Sequence, residues 1–284
     1  MTTPSFSPEA EERQGRIRVV RAMTPGGPRW GILEDDVVYR LPADPFGAWE
    51  PAISEDRAVL GRHGELALLA PATPTKIVCV GRNYPAHAAE HGAVVPEEPL
   101  IFFKPPSAII GPDAAIHLPP QSERVDYEAE LVVVIGRRCR NVVPEEAWDC
   151  VFGVTCGNDV TARDLQRLDD QWTRAKGFDT FCPLGPWLVT GLSEDDVAQL
   201  EIICRVNGEA RQGARASEMA FSPAELIAYT SSIMTLEPGD VIMTGTPEGV
   251  GALSPQDEIE VQIEGVGRLR NVVAGGDCGS VRAG

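Results

Sequence analysis

Val125-Asp126-Tyr127-Glu128-Ala129-Glu130-Leu131-Val132-Val133-Val134-Ile135-Gly136 reads as one apolar strand carrying two glutamates two residues apart. Alternate residues of a strand share a face, so Glu128 and Glu130 are expected to point the same way. Two carboxylates side by side repel each other, and burial raises the cost of ionising both. A divalent cation between them removes both penalties. The competing reading is a face simply open to water, which antiparallel sheets allow.

Working outward, short apolar runs ending in Gly or Pro recur: Ile77–Val80, Leu100–Phe103, Val151–Cys156, Trp187–Val189, Glu201–Val206, Val241–Met243 and Glu258–Ile263. Helical stretches are fewer, at Pro144–Cys150, Ala162–Asp169 and Ala224–Ser232, with one more expected between Asp56 and Leu69. Many short strands and few helices define a mainly β (α+β) chain with a barrel or roll core. The alternation from Ile17 to Leu41, around Gly26-Gly27-Pro28, predicts a small antiparallel meander. The expected organisation is a tail at 1–16, a small β-rich N-terminal domain at 17–73, a main domain at 74–275 and a tail at 276–284. The linker Ala70-Pro71-Ala72-Thr73-Pro74 marks the boundary.

A third carboxylate, Asp159, follows the run Val151–Cys156 and precedes the helix near Ala162. Capping that helix is its ordinary role; with the glutamates it completes a three-carboxylate set. Carboxylate-only ligation suits a hard ion, Mg²⁺ first, then Mn²⁺ or Ca²⁺, whereas zinc favours His or Cys.

In Asn83-Tyr84-Pro85-Ala86-His87-Ala88-Ala89-Glu90-His91-Gly92, Pro85 suits a helix start and Gly92 a stop. His87 and Glu90 then share one helix face, and a carboxylate beside an imidazole raises its basicity, as a general base requires. His63, His91 and His117 receive no role. Lys104, Arg163, Gln166 and Lys176 lie at element ends, where sites are commonly built. The loop Thr244-Gly245-Thr246-Pro247-Glu248-Gly249 lacks the Lys-Ser/Thr ending of a P-loop, yet its backbone N–H groups can hold a carboxylate.

Charge and composition exclude other classes. With 25 Lys+Arg against 42 Asp+Glu among 284 residues, the net charge is -17. A nucleic-acid partner would be repelled. No apolar run reaches the ~20 residues of a spanning helix, and Met1–Arg16 lacks the apolar core of a signal peptide. The seven cysteines are odd in number and never paired as C-x-x-C, which fits core packing in a cytosolic protein.

Taken in order, the motifs resemble the fumarylacetoacetate hydrolase (FAH) superfamily, in particular its short bacterial members. They are Gly81-Arg82-Asn83-Tyr84 with His87 and Glu90, Phe102-Phe103-Lys104-Pro105, Asp126 to Leu131 and Asn158 to Gln166. Lys176 to Phe181, Pro183 to Pro186, Val206 to Glu209, Pro238-Gly239-Asp240 and Thr244 to Pro247 complete them. The likeness covers residues 74–273, and the N-terminal meander is similar to the family's variable N-terminal domain.

The resemblance implies an FAH-type β-roll, a homodimer, and Mg²⁺ or Mn²⁺ held by Glu128, Glu130 and Asp159. It implies a catalytic His87–Glu90 pair on a mobile lid. Lys176 becomes a further catalytic residue that contacts the substrate beside Gln166, and Thr246 part of an anion-holding loop, with Lys104 and Arg163 as further expected substrate contacts. The aspartate that precedes the catalytic His in the larger fumarylacetoacetase is absent from Gly81-Arg82-Asn83-Tyr84, so a different substrate is expected. The leading expectation is hydrolysis of a C–C bond in an acylpyruvate or related 1,3-dicarbonyl 2-oxo acid through a metal-stabilised enolate. Decarboxylation of an oxaloacetate-like β-keto acid, or isomerisation of a 2-hydroxyhepta-2,4-diene-1,7-dioate-like compound from aromatic breakdown, uses the same enolate. A catalytically silent relative would have lost one of Glu128, Glu130, Asp159, His87 or Lys176, and all five are present.

Overall fold

The computed structural model describes residues 15–46 and 58–274. Ala129–Ile135 is its central strand, buried at every position because both faces are covered. Leu131, Val133 and Ile135 enter a core with Ile202, Leu226 and Val261, while Val132 and Val134 enter a second with Leu184, Leu188 and Met243. A strand sandwiched between two cores cannot alternate polar and apolar residues, which explains the unbroken run. Truncating a side chain such as Leu131 to Ala would cost about 2–5 kcal/mol.

The fold is mainly β with few helices. A twelve-stranded sheet carries Ala129–Ile135 between Val151–Asn158 and Val241–Met243. A five-stranded sheet (Glu209–Arg215, Glu201–Val206, Glu258–Ile263, Gly267–Ala274, Ala115–His117) rolls over one face. The meander Arg18–Thr24, Gly27–Glu34 and Val37–Arg40 joins the large sheet directly, through Arg18 opposite Val189.

One register sets up everything that follows. Ala129–Ile135 runs antiparallel to Val151–Asn158, with Ala129 opposite Asn158 and Glu130 opposite Gly157. The start of one strand therefore lies beside the end of the other, which brings Glu128 and Glu130 to Asp159. Gly157 is needed for this approach, since a Cβ there would sit 2.5 Å from Val132 Cγ2.

The strands expected at Ile77, Leu100, Val151, Glu201, Val241 and Glu258 are present. The expected helices appear as Pro144–Ala147 with a 3₁₀ turn Trp148–Cys150, as Arg163–Leu168, and as Pro223–Ile233. Between Asp56 and Leu69 the described residues hold only a 3₁₀ turn, His63–Glu65, between strands Val59–Arg62 and Leu68–Leu69. There Leu60, Leu66 and Leu68 pack on Val20, Leu33 and Val38 and extend the sheet; positions 56–57 lie outside the described residues.

Glu128 also departs from expectation. It lies between strands Val125–Tyr127 and Ala129–Ile135, where the chain passes from a small three-stranded sheet into the large one. Its N–H donates to Asn158 Oδ1 (2.9 Å), and its carbonyl accepts from the Asp159 N–H (2.8 Å). These bonds, rather than a strand ladder, fix its direction. Asp159 does not cap the following helix, whose N-cap is Ala162 without a side-chain bond.

Six free cysteines (79, 139, 150, 156, 182 and 204) are buried, and Cys278 lies outside the described residues, as do the predicted tails apart from Gly15 and Arg16. No helix among the described residues is long and apolar enough to cross a membrane.

Candidate metal centre and active-site cavity

Glu128, Glu130 and Asp159 are almost wholly buried, which overturns the open-face reading of the glutamates. One oxygen from each lies within 4.8 Å of the other two. Each carboxylate is held differently. The Gly245 N–H donates to Glu130 Oε2 at 2.8 Å. Lys176 Nζ bridges Glu128 Oε2 (2.8 Å) and Asp159 Oδ2 (2.6 Å). Arg163 donates to the other oxygen of Glu128 and, through Nε, to Asp126 Oδ2 at 2.8 Å.

The electrostatics show why an ion fits. Burial by itself raises the pKa of a carboxyl group. At Glu128 this is overcome by Lys176 and then Arg163, which hold the group well below the ordinary carboxylate range. Glu130 is pushed well above that range, first by burial and then by Asp159 and Glu128. A buried carboxylate facing two others, with one N–H for compensation, is stabilised as an anion by a dication. The all-oxygen donor set suits Mg²⁺ or Mn²⁺. In Lys176, burial lowers and the Asp159 and Glu128 charges raise the ammonium's pKa, and the carboxylates prevail.

A cavity of about 390 Å³ opens over this centre. His87, Glu90, Arg163, Gln166, Lys176 and Thr246 all reach it, as do Glu128 and Asp159. The opposite wall is aromatic: Phe102 and Trp172 meet edge to face at 5.2 Å, and Lys176 Nζ sits 5.1 Å from the Phe102 ring centre. His87 is delivered by the helix Pro85–Glu90, whose Pro85 start matches the sequence pattern. His87 Nδ1 is 3.5 Å from Glu90 Oε2, buried and without a hydrogen bond. Burial lowers the imidazole's pKa, so the ring is neutral and able to accept a proton. Glu90 in turn accepts from the Gly249 N–H.

Two residues named from the sequence sit differently from the rest. Lys104 is not on the cavity wall: its ammonium is buried, 2.6 Å from Asp159 Oδ1, and donates to the carbonyls of Val160 (3.1 Å) and Lys176 (2.5 Å). Its two hydrogen bonds therefore run to the protein's own carbonyls, away from the cavity. Thr246 lies on the wall, but its hydroxyl donates to the Ala129 carbonyl (2.9 Å) and accepts from Gln212 Nε2 (2.9 Å). Among the loop's backbone N–H groups, expected to be able to hold a carboxylate, that of Gly245 holds the protein's own Glu130.

Several positioning residues escaped the sequence reading. Gln212 Oε1 accepts the N–H of Ala129, between the two glutamates, while its amide holds Thr246 and the Pro247 carbonyl. Asn83 donates to the Thr244 and Phe221 carbonyls and ties the base of the His87 helix to the Gly245 loop. At the mouth stand Arg82 and Arg167, neither with an ion-pair partner among the described residues. Arg82 has φ 59°, the left-handed region, where the strand hands over to the helix. Gln212 lies in a polar strand with no periodic signal, and partner choice across a cavity has none either.

The fold and site define a class: mainly β proteins with a buried group of three carboxylates that could hold a metal ion, two of them sharing a cavity with a His–Glu pair. The chain belongs to the fumarylacetoacetate hydrolase family. The family model described as fumarylacetoacetate (FAA) hydrolase C-terminal matches residues 76–274, and the Rv2993c-like N-terminal model matches 17–55. The chain is 51% identical over 267 residues to Protein Rv2993c of Mycobacterium tuberculosis, covering 90% of this chain and 98% of the relative. It is 47% identical over 232 residues to a human protein named oxaloacetate tautomerase FAHD2A, mitochondrial, covering 78% and 74%. A solved structure titled 5-carboxymethyl-2-hydroxymuconate delta-isomerase, from Mycobacterium smegmatis, superposes with TM-score 0.80 at 43% identity, covering 90% of this chain and 99% of that one.

Proposed function

We propose that the protein is a divalent-metal-dependent enzyme that moves protons on 2-oxo dicarboxylates, interconverting keto and enol forms of oxaloacetate-like acids. The observation that carries this reading is the placement of a buried His87 Nδ1, without a hydrogen bond, on the same cavity as Glu128 and Asp159 of the three grouped carboxylates. The names of the tautomerase and isomerase relatives support it.

Mg²⁺ or Mn²⁺ held by Glu128, Glu130 and Asp159 would supply Lewis-acid stabilisation of the charge that develops as an enolate forms. His87 takes the proton from the carbon between the two carbonyl groups, and Glu90 steadies the resulting imidazolium. The proton returns to oxygen in the forward direction and to carbon in the reverse, so no water is consumed. Help of this type is worth roughly 10²–10⁴ in rate. Gln166, whose Oε1 accepts from Arg163 NH1 at 2.6 Å, keeps its amide N–H groups as donors toward the substrate. Lys176 and Arg163 offset negative charge on the floor. Arg82 and Arg167 receive the distal carboxylate, and Phe102 and Trp172 cover the carbon chain between.

Hydrolysis of an acylpyruvate is the second reading. It is favoured by the position of Glu90 at the exposed end of the helix, where an attacking water can reach the pair. The test is the rate of enol loss for oxaloacetate in chelator-stripped protein, with and without Mg²⁺ or Mn²⁺. Acetylpyruvate cleavage is followed in parallel. Metal-dependent enol loss with intact acetylpyruvate supports the tautomerase; metal-dependent release of pyruvate from acetylpyruvate supports the hydrolase instead.

A further inference from the structure

A second group of metal-type donors lies on the same cavity, apart from the three carboxylates. His87 and Glu90 belong to the helix Pro85–Glu90, and His91 is its C-terminal cap. One donor atom from each lies within 4.8 Å of the other two. The rings of His87 and His91 meet edge to face with centres 4.8 Å apart. His87 Nδ1 is buried, 3.5 Å from Glu90 Oε2, and without a hydrogen-bond partner. A buried imidazole nitrogen left unpaired costs free energy, and here it is aimed at a carboxylate beside a second imidazole.

We propose that His87, Glu90 and His91 form a second metal site, selective for a zinc-type ion over Mg²⁺, and that filling it switches the enzyme off. Four-residue spacing places two histidines on one helical face, the spacing that short zinc motifs use. Two imidazoles and one carboxylate are a borderline donor set that Zn²⁺, Co²⁺ or Cu²⁺ prefers and Mg²⁺ does not. Bond lengths of about 2.0–2.2 Å require the donors to approach more closely than 4.8 Å, which side-chain rotations achieve because His91 and Glu90 are exposed. Apart from its contact with His87, Glu90 is held among the described residues by a pair of long bonds, 3.2 and 3.3 Å, from the Gly249 N–H, and a single oxygen suffices for the ion. The remaining coordination position opens to the cavity that all three residues line.

The consequence follows from one electron pair. A nitrogen lone pair of His87 that is bound to zinc cannot accept a proton from substrate. Metal binding does not depend on the proposed reaction; the inhibition rests on His87 being its base.

The test uses full-length, chelator-stripped protein with Mg²⁺ in large excess, titrated with Zn²⁺ by calorimetry and with Co²⁺ by visible absorption. Wild type is expected to bind one Zn²⁺ per chain in the presence of Mg²⁺ and to give the stronger visible bands of nitrogen-ligated, low-coordinate Co²⁺. His91→Ala is expected to weaken Zn²⁺ at least tenfold and to lose the bands, while its thermal unfolding without zinc matches wild type. Zinc should inhibit wild-type turnover, and His91→Ala should resist it by the same factor. Unchanged zinc affinity in His91→Ala, or zinc fully displaced by saturating Mg²⁺, would overturn the site. His91-dependent zinc binding without inhibition would uphold the site and refute the base assignment of His87.

Discussion

Lys104 Nζ lies 2.6 Å from Asp159 Oδ1, reaching the carboxylate from behind the cavity while Lys176 bonds Oδ2 from the cavity side. Asp159 is thus gripped by two buried ammonium groups, and only Lys176 faces the space where a substrate would sit.

Lys104→Met should therefore act on the metal and the fold before it acts on substrate. Removing one member of a buried pair costs about 3–5 kcal/mol, and loss of a group that orients a metal ligand weakens the ion about 10–100-fold. Thermal unfolding and Mn²⁺ titration should both register the change, with KM at saturating metal little altered. A raised KM with unchanged metal affinity would instead return Lys104 to the substrate.

Burial depresses the pKa of His87 below its ordinary 6.5. The reactive form is the neutral ring, so activity should persist below pH 6.5 and fall only when the ring protonates. The pH profile of kcat/KM reports the free enzyme, and its acid limb should have a midpoint under 6.5. In His87→Gln the limb should vanish along with most of the rate. A midpoint above 6.5 would contradict a buried, neutral base.

Arg82 and Arg167 stand at the mouth without ion-pair partners among the described residues. A hydrogen bond to a charged group is worth about 1.5–3 kcal/mol, so each should favour a dicarboxylate by about tenfold or more. Arg167→Ala should lower kcat/KM for oxaloacetate by about that factor, chiefly through KM, and leave a monocarboxylate 2-oxo acid nearly unaffected. Equal losses on both substrates would remove the distal-carboxylate role.

Much of this site was legible because its residues cluster in sequence or end an element. Asp159 stands out at the end of an apolar run, and Glu128 and Glu130 stand out within one. The detailed reason differed: Glu128 sits in a break between strands, and Asn158 rather than pleat alternation directs it. The roles of Lys104 and Gln212 were illegible because both depend on which buried partners, Asp159 and the Ala129 N–H, lie across the fold, 55 and 83 positions away. The segment near His63 was misjudged for a related reason. Leu60, Leu66 and Leu68 pack on the sheet, and tertiary burial overrides local helix preference.

The central claim is that Glu128, Glu130 and Asp159 together hold a hard cation. Glu130→Gln tests it most directly, because the amide keeps the shape and removes the charge that Asp159 and Glu128 oppose. The measurement is thermal unfolding of chelator-stripped wild type and variant, each with and without saturating Mn²⁺. The variant should be more stable than wild type without metal and should lose most of the stabilisation that Mn²⁺ gives wild type. Equal stabilisation of both proteins by Mn²⁺, or none in wild type, would contradict the three-carboxylate centre.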